Sequence, residues 1–464
     1  MMKCIKIFQF LVIIIFNTNY VIAQASEDCV QTLSIFAEFA KVENYDSAFE
    51  PWMKVRKNCS KINPAIYSYG ERILKDKIKK ITGEEKEFFK KDLLKLYDEW
   101  VENFPKQRNK IIIGKIMSSK AQTMLDYKMS DLKTIYEVFD KAFKLDSESF
   151  SNPKHLYNYF KTLYNRYKNN DNEVSMELLI NKYEELSEKF ENESVKLSKK
   201  LDVILKKEEQ GSVMSSRETR NKRAYESQSK AIGTFLRNLD VIIQKEATCD
   251  NLIPLYRKNF EDKKTNVIWL KRAVNRMDGK ECSDDPFFVT LVETWYGIEQ
   301  SAGTAYYLGL LKDKTGKSAE ALKYYKESIA LETDKYKKAK ILLKISNRFK
   351  KVGRKVSART YALRALSNQP SLGKAYLLIA SLYADSANDC GENQFNKRAV
   401  YWLAAKTALK AGRVDASLKK AASKAVKSYN GRAPTKTDIF TEGNEGSSIK
   451  IDCWIKTSVK VPKL

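Results

Sequence analysis

The sequence predicts an all-α chain of stacked antiparallel helical hairpins that ends in a short β-hairpin or extended tail. Three observations lead there. Only 9 prolines and 17 glycines interrupt 464 residues, of which 43% are hydrophobic, so breakers are kept out of long helix interiors. Between Ala302 and Pro370, glycine, alanine and proline return at the phase of a two-helix repeat. From Ile449 to Val461 apolar residues alternate, which is the period of paired strands.

Residues 1–25 read as a signal peptide. Lys3 and Lys6 give a positive start, and Ile7 to Phe16 is an apolar run broken only by Gln9. Val21-Ile22-Ala23 or Ala23-Gln24-Ala25 then supplies the small-residue cleavage pattern. The run is too short to span a membrane comfortably. Cys4 precedes it and Cys29 follows Asp28, so neither cysteine has the context of a lipid anchor. A soluble exported protein with no transmembrane span is expected.

Residues 26–205 are expected to form an N-terminal helical repeat lobe. Leu33, Phe36, Ala37 and Ala40 make one helical face, Asn44-Tyr45-Asp46 a turn, and Ala48, Trp52 and Val55 the partner helix. Asn63-Pro64 and Asn152-Pro153 are helix starts, and Gly83 closes a helix. A long helix is expected from about Glu173 to Lys207. Residues 206–223 combine Gly211, serines and alternating charges with few large apolar groups, the composition of a flexible loop. Middle helical hairpins follow over 224–301, C-terminal repeats over 302–430, and a tail with the strand pair over 431–464.

The repeats set the fold most sharply. Leu308-Gly309 precedes Gly316 by seven residues, with Ala321, Tyr325 and Ser328 following at helical spacing. In the next unit Gly353 holds the turn, and Ala358, Ala365 and Pro370 fall at intervals of seven and five. Small residues let paired backbones approach, glycine makes the turn, and proline ends the second helix. Ala375, Tyr376, Ile379, Ala380 and Tyr383 begin a third unit, interrupted over 386–396. These intervals resemble the tetratricopeptide family, with departures at Ala305, Lys312, Thr333 and Ser346, where the family prefers an aromatic, tyrosine, proline and glycine.

The resemblance implies a helical-hairpin solenoid whose first helices line a binding groove. Carried over by phase, the groove positions are Tyr306 and Leu310 in the first repeat, Lys340, Leu343, Asn347 and Lys351 in the second, and Lys374, Leu377 and Ser381 in the third. Lys340, Asn347 and Lys374 are similar to parts of the family's clamp for a C-terminal carboxylate, but Leu343 or Leu377 stands where its key lysine would be. The resemblance therefore points to a protein or extended peptide with acidic groups. Together with the signal segment and the Cys453-Trp454-Ile455 tail, the chain resembles exported tetratricopeptide proteins of the cell envelope in Bacteroidota such as flavobacteria. That likeness implies a place and a fold, and no reaction.

Removal of Cys4 leaves six cysteines, which in principle pair in 15 ways. Cys29 opens the first helix of a hairpin and Cys59 ends its second, and Cys249 and Cys282 bracket another hairpin in the same manner. Cys390 is left for Cys453. A zinc site would need a CxxC pair or several histidines, and the chain has one histidine, His155.

The same scarcity empties the survey for chemistry. No histidine triad, HExxH, GxGxxG or GxxxxGK[ST] motif is present, so a non-enzymatic protein with no cofactor is expected. The charge of +26 is uneven: residues 311–464 carry 33 Lys and Arg against 13 Asp and Glu. This basic lobe suits an acidic protein segment or an envelope polyanion or glycan, such as lipopolysaccharide or peptidoglycan. The cluster Arg217, Arg220, Lys222 and Arg223 lacks the aromatic interleaving of a nucleic-acid surface, so no nucleic acid is expected.

Overall fold

The computed structural model describes residues 27–464, so the expected signal segment and Cys4 lie outside it. The helices group into two compact units, one ending at Val174 and the other running from Ser175 to Leu464.

The first unit contains α1 (residues 27–41), α2 (Tyr45–Asn58), α3 (Ala65–Lys80), α4 (Gly83–Asn103), α5 (Ile113–Asp126), α6 (Leu132–Leu145) and α7 (Pro153–Lys168). From α2 onward, consecutive helices pack on one another. In α2 the spacing of Ala48, Trp52 and Val55 puts all three on one buried stripe. Trp52 is fully buried, and its Nε1 donates to the Ile66 carbonyl at 2.7 Å. Gly70 on α3 makes room for it, since a Cβ there would lie 2.6 Å from the indole. Residues 106–111, unassigned from sequence, form a two-stranded hairpin, β1 (Lys106–Gln107) and β2 (Lys110–Ile111), turned by Arg108 and Asn109 at positive φ.

His155 lies on α7 just inside the cap made by Asn152, whose Oδ1 accepts from Lys154 N. Its Nδ1 is 3.2 Å from Ser118 Oγ on α5. Burial, reinforced by the charges of Lys75 and Lys154, lowers the imidazole from 6.5 to about 4. The folded state thus favours the neutral ring, whereas the unfolded chain takes up the proton first as pH falls. Stability present above pH 6.5 should be lost between pH 6.5 and 4, by at most about 3.4 kcal/mol. His155→Gln should remove that component, which urea titrations of both proteins at several pH values would measure.

The second unit contains α8 (Met176–Glu209), α9 (Ser216–Glu246), α10 (Cys249–Lys263), α11 (Val267–Gly279), α12 (Pro286–Ile298), α13 (Ala302–Lys314), α14 (Ser318–Leu331), α15 (Lys335–Lys351), α16 (Lys355–Asn368), α17 (Gly373–Ala384), α18 (Gln394–Val414), α19 (Lys419–Asn430) and α20 (Lys436–Glu442). Strands β3 (Ser448–Ile451) and β4 (Thr457–Lys460) pair antiparallel, Ile449 opposite Val459. The fold is all-α, built of tetratricopeptide-like helical hairpins and closed by this short β-hairpin.

The hairpins α13/α14, α15/α16 and α17/α18 are the most closely packed helix pairs. Gly316 and Gly353 turn the first two at φ of 79° and 77°, where a Cβ would be strained. Gly309 lets Tyr325 of α14 lie against α13, since a Cβ would come 2.6 Å from the ring. In the second hairpin Ser346 occupies the equivalent position. It is fully buried, and its hydroxyl donates to the Ala358 carbonyl at 2.6 Å, so a hydrogen bond satisfies the buried oxygen.

All three expected cysteine pairs are joined: Cys29–Cys59, Cys249–Cys282 and Cys390–Cys453, with Cα separations of 6.1, 5.5 and 5.2 Å. Their sequence separations of 30, 33 and 63 correspond to about 4 kcal/mol of loop-closure entropy apiece. Cys453 ties the tail back beside the third repeat, where Arg359 Nη1 donates to the Ile455 carbonyl at 2.7 Å and Trp454 Nε1 to Ser386 Oγ at 3.2 Å.

The expected loop over 206–223 is largely helical. The helix α8 continues to Glu209, and Ser215 caps α9 through a reciprocal box with Glu218, leaving only residues 210–215 outside. Its basic cluster lies on α9, where Lys222 bonds Glu208 at 2.6 Å. The boundary between the compact units falls before α8, at residue 174, so α8 groups with the C-terminal repeats. Among the described residues no helix is long and apolar enough to cross a membrane.

Candidate binding face of the C-terminal repeats

The helix α15 presents Lys340, Lys344, Asn347 and Lys351 at steps of four, three and four, one stripe of a helix. Its other side supplies the buried Ala339, Leu342, Ile345 and Phe349. The stripe faces back toward α11: Lys344 Nζ is 3.2 Å from Tyr307 OH on α13 and 3.4 Å from Asn275 Oδ1 on α11. It also sits 5.2 Å from both the Tyr306 and Tyr307 ring centres. Three successive first helices therefore meet at one lysine.

The nine phase-derived positions divide on this face. Tyr306 and Leu310 are buried, at 6% and 4% exposure, and do not line an open surface. Tyr306 packs against Tyr307 and Tyr325, with centroids 4.9 and 5.9 Å away. Leu343 and Leu377 are half-buried, whereas Asn347, Lys351 and Lys374 are exposed. Asn347 donates to its own helix, at Leu343 O, and Lys351 pairs with Glu281 at 3.2 Å. Ser381 accepts from Lys350 at 2.6 Å. Lys344 was missed by family phase; its step of four from Lys340 is the signal that would have found it.

The larger omission is α8, which runs along this face. Glu191 accepts from Lys340 at 2.9 Å. Asp202 accepts from Tyr336 OH at 2.8 Å and from Ser371 N at 2.9 Å. Lys199 reaches Asp334 at 3.1 Å, and Gln369 Nε2 donates to Ser198 Oγ at 3.2 Å. Partial burial raises the Glu191 carboxyl, but Lys340, with Lys344 and Lys374 behind it, outweighs that and holds it below the usual carboxylate range. The Lys340–Glu191 pair keeps 39% and 58% of its side chains exposed, which limits it to about 0–1 kcal/mol.

Nearer its start α8 is held differently. Glu184 accepts from Arg276 Nε at 2.6 Å, with both side chains about 10% exposed, and the same guanidinium lies 4.1 Å above the Tyr183 ring. Glu188 accepts from Arg272 Nη2 at 3.0 Å. Tyr183 OH donates to Asp240 on α9. Among the described residues no group of three or more His, Cys, Asp or Glu side chains is placed to hold a metal ion.

No family model matches the chain. It is similar to solved structures of low identity. A tetratricopeptide repeat protein from Parabacteroides merdae is 12% identical, the match covering 68% of this chain and 97% of that one at a TM-score of 0.23. The TPR2AB domain of yeast Sti1, solved in complex with pHSP90, is 12% identical over 68% and 98% of the two chains at 0.22. Yeast Tom70 is 10% identical over 88% and 96% at 0.27. By the packing of its own helices, with small residues at the hairpin contacts and glycines of positive φ at the turns, this chain is built of tetratricopeptide-like repeats.

Proposed function

We propose that this protein is a non-enzymatic scaffold of the cell envelope that binds a protein or peptide partner through the face formed by α11, α13, α15 and α17. One observation weighs most: that face already engages a polypeptide segment, with Glu191 and Asp202 of α8 received by Lys340, Tyr336 and Ser371. A surface that receives carboxylates of a helix offers the same donors to an acidic partner. Lys351, Lys374, Leu343 and Leu377 extend the face beyond these contacts with charge and apolar surface together. Three disulfides suit an oxidising compartment outside the cytosol, in keeping with export directed by residues 1–25.

Affinity capture from periplasmic extract tests the reading. Lys351→Glu with Lys374→Glu should reduce recovery of a stoichiometric protein partner at least several-fold at low salt, and less at high salt, where exposed charges are screened within a few ångströms. Lys340 is left alone because a glutamate there would also repel Glu191. Equal capture by the folded variant rejects the face as the binding surface. Recovery of lipopolysaccharide or peptidoglycan alone would make the basic lobe a polyanion or glycan binder instead.

A further inference from the structure

The residues by which α8 meets the repeats form a stripe of their own. Glu184, Glu188, Glu191, Ser198, Asp202 and Glu209 follow at steps of four, three, seven, four and seven, which keeps them on one helical face. They bond in order to Arg276, Arg272, Lys340, Gln369, Tyr336 with Ser371, and Lys410. The apolar residues of α8, among them Leu197, Leu201 and Ile204, are buried, and α8 packs along α9. The contacts named here between residues 191–209 and the repeats are polar. The ion pairs become more open along the helix: the acid is 11% exposed at Glu184, 44% at Glu188, 58% at Glu191 and 62% at Glu209.

That gradient separates a start held by a buried ion pair from an end whose ion pairs are exposed, with Asp202 between them held by Tyr336 and Ser371 N. Exposed pairs contribute little each, and a polar surface between packed elements resembles a transient interface more than a core. We propose that the inner face of the C-terminal repeats is a site for an acidic helix carrying carboxylates eleven residues apart, as at Glu191 and Asp202, with a small polar residue between. The second half of α8 is its resident occupant, and an external partner helix binds by taking that place. The proposal deepens the scaffold reading and rests on it: the ligand is a helix in place of the extended peptide that the family phase suggested. Lys340 of the α15 stripe receives the first carboxylate, and Tyr336 and the Ser371 backbone fix the position of the second one.

The probe is a synthetic peptide of residues 184–206, and the receptor is the full mature chain. In the chain Glu191→Lys with Asp202→Lys, the resident helix is repelled from Lys340 and loses its acceptor for Tyr336. Fluorescence anisotropy should show this chain binding the peptide at least tenfold more tightly than the wild-type chain does. A peptide with the same two substitutions should gain nothing. Equal affinity of the two chains, absence of binding, or equal gain by the substituted peptide overturns the proposal. Failure of the variant chain to fold would also overturn it, because α8 would then be a fixed strut. Hydrogen exchange on the wild-type chain gives an independent reading: residues 191–206 should exchange faster than α15 and α16, and equal protection overturns the idea. Because the peptide is supplied, failure here leaves the Lys351 and Lys374 capture result standing, and success here survives failure of capture.

Discussion

Trp52→Ala is expected to destabilise the N-terminal unit by about 3–5 kcal/mol, the range for deleting a fully buried large aromatic. The indole does three things at once. It fills the space left by Gly70 on α3, donates to the Ile66 carbonyl at 2.7 Å, and lies 5.3 Å beneath the Arg56 guanidinium. Alanine removes all three and leaves a cavity that the surrounding helices close only in part, because Gly70 has no side chain to move into it. Trp52→Phe keeps most of the packing and loses the hydrogen bond, so it should cost less, on the order of 1–2 kcal/mol from the unpaired carbonyl and the smaller ring. Hydrogen exchange in α2 and α3, together with urea titration, measures both variants. A loss below about 1 kcal/mol for Trp52→Ala would show that α2 and α3 repack without the indole.

Arg276→Met is expected to cost about 3–5 kcal/mol in the second unit, since it strands the Glu184 carboxylate in a buried position. Burial already raises the Glu184 carboxyl, and the charge of Arg276 is the main influence opposing it. Without the guanidinium the folded state favours protonated Glu184 more strongly than the unfolded chain does. An acid whose folded value is raised takes up protons on folding, so stability falls as pH rises through the carboxylate range. The loss should therefore be greatest at neutral and alkaline pH and shrink toward pH 4. Adding Glu184→Leu should restore most of the stability and remove the pH dependence, because a buried ion pair replaced by apolar groups of similar size is often neutral. Denaturation curves of the single and double variants at pH 5 and pH 8 test this. A single variant equally stable at both values would show that water reaches Glu184.

Much of this architecture was legible in local sequence because the forces that set it are local. Glycine at 316 and 353 turns the hairpins wherever the chain runs next, and alternation over 449–461 specifies paired strands. The cysteine pairs were legible for a related reason: each joins residues that a hairpin, or a tail folding back on the last repeat, brings to one end. Tyr306 and Leu310 were assigned to the groove by repeat phase alone, yet both are buried, Tyr306 against the Tyr307 and Tyr325 rings and under Lys344. Phase specifies which side of a helix faces inward, but the depth of a residue depends on how tightly its neighbours close over it.

The sequence alone determined the helical class, the hairpin turns of the C-terminal repeats, the three disulfides and the concentration of positive charge after residue 310. Only the tertiary structure decided that α8 belongs to the second unit and occupies the face of the repeats. A stripe of carboxylates on a 34-residue helix looks the same in sequence whether it meets water or lysines. The partners of Glu191, Ser198 and Asp202 lie 134 to 171 residues away, and no local preference encodes that meeting. It is selected by burial of the apolar side of α8 and by the match of exposed charges, quantities that exist only once the chain has folded.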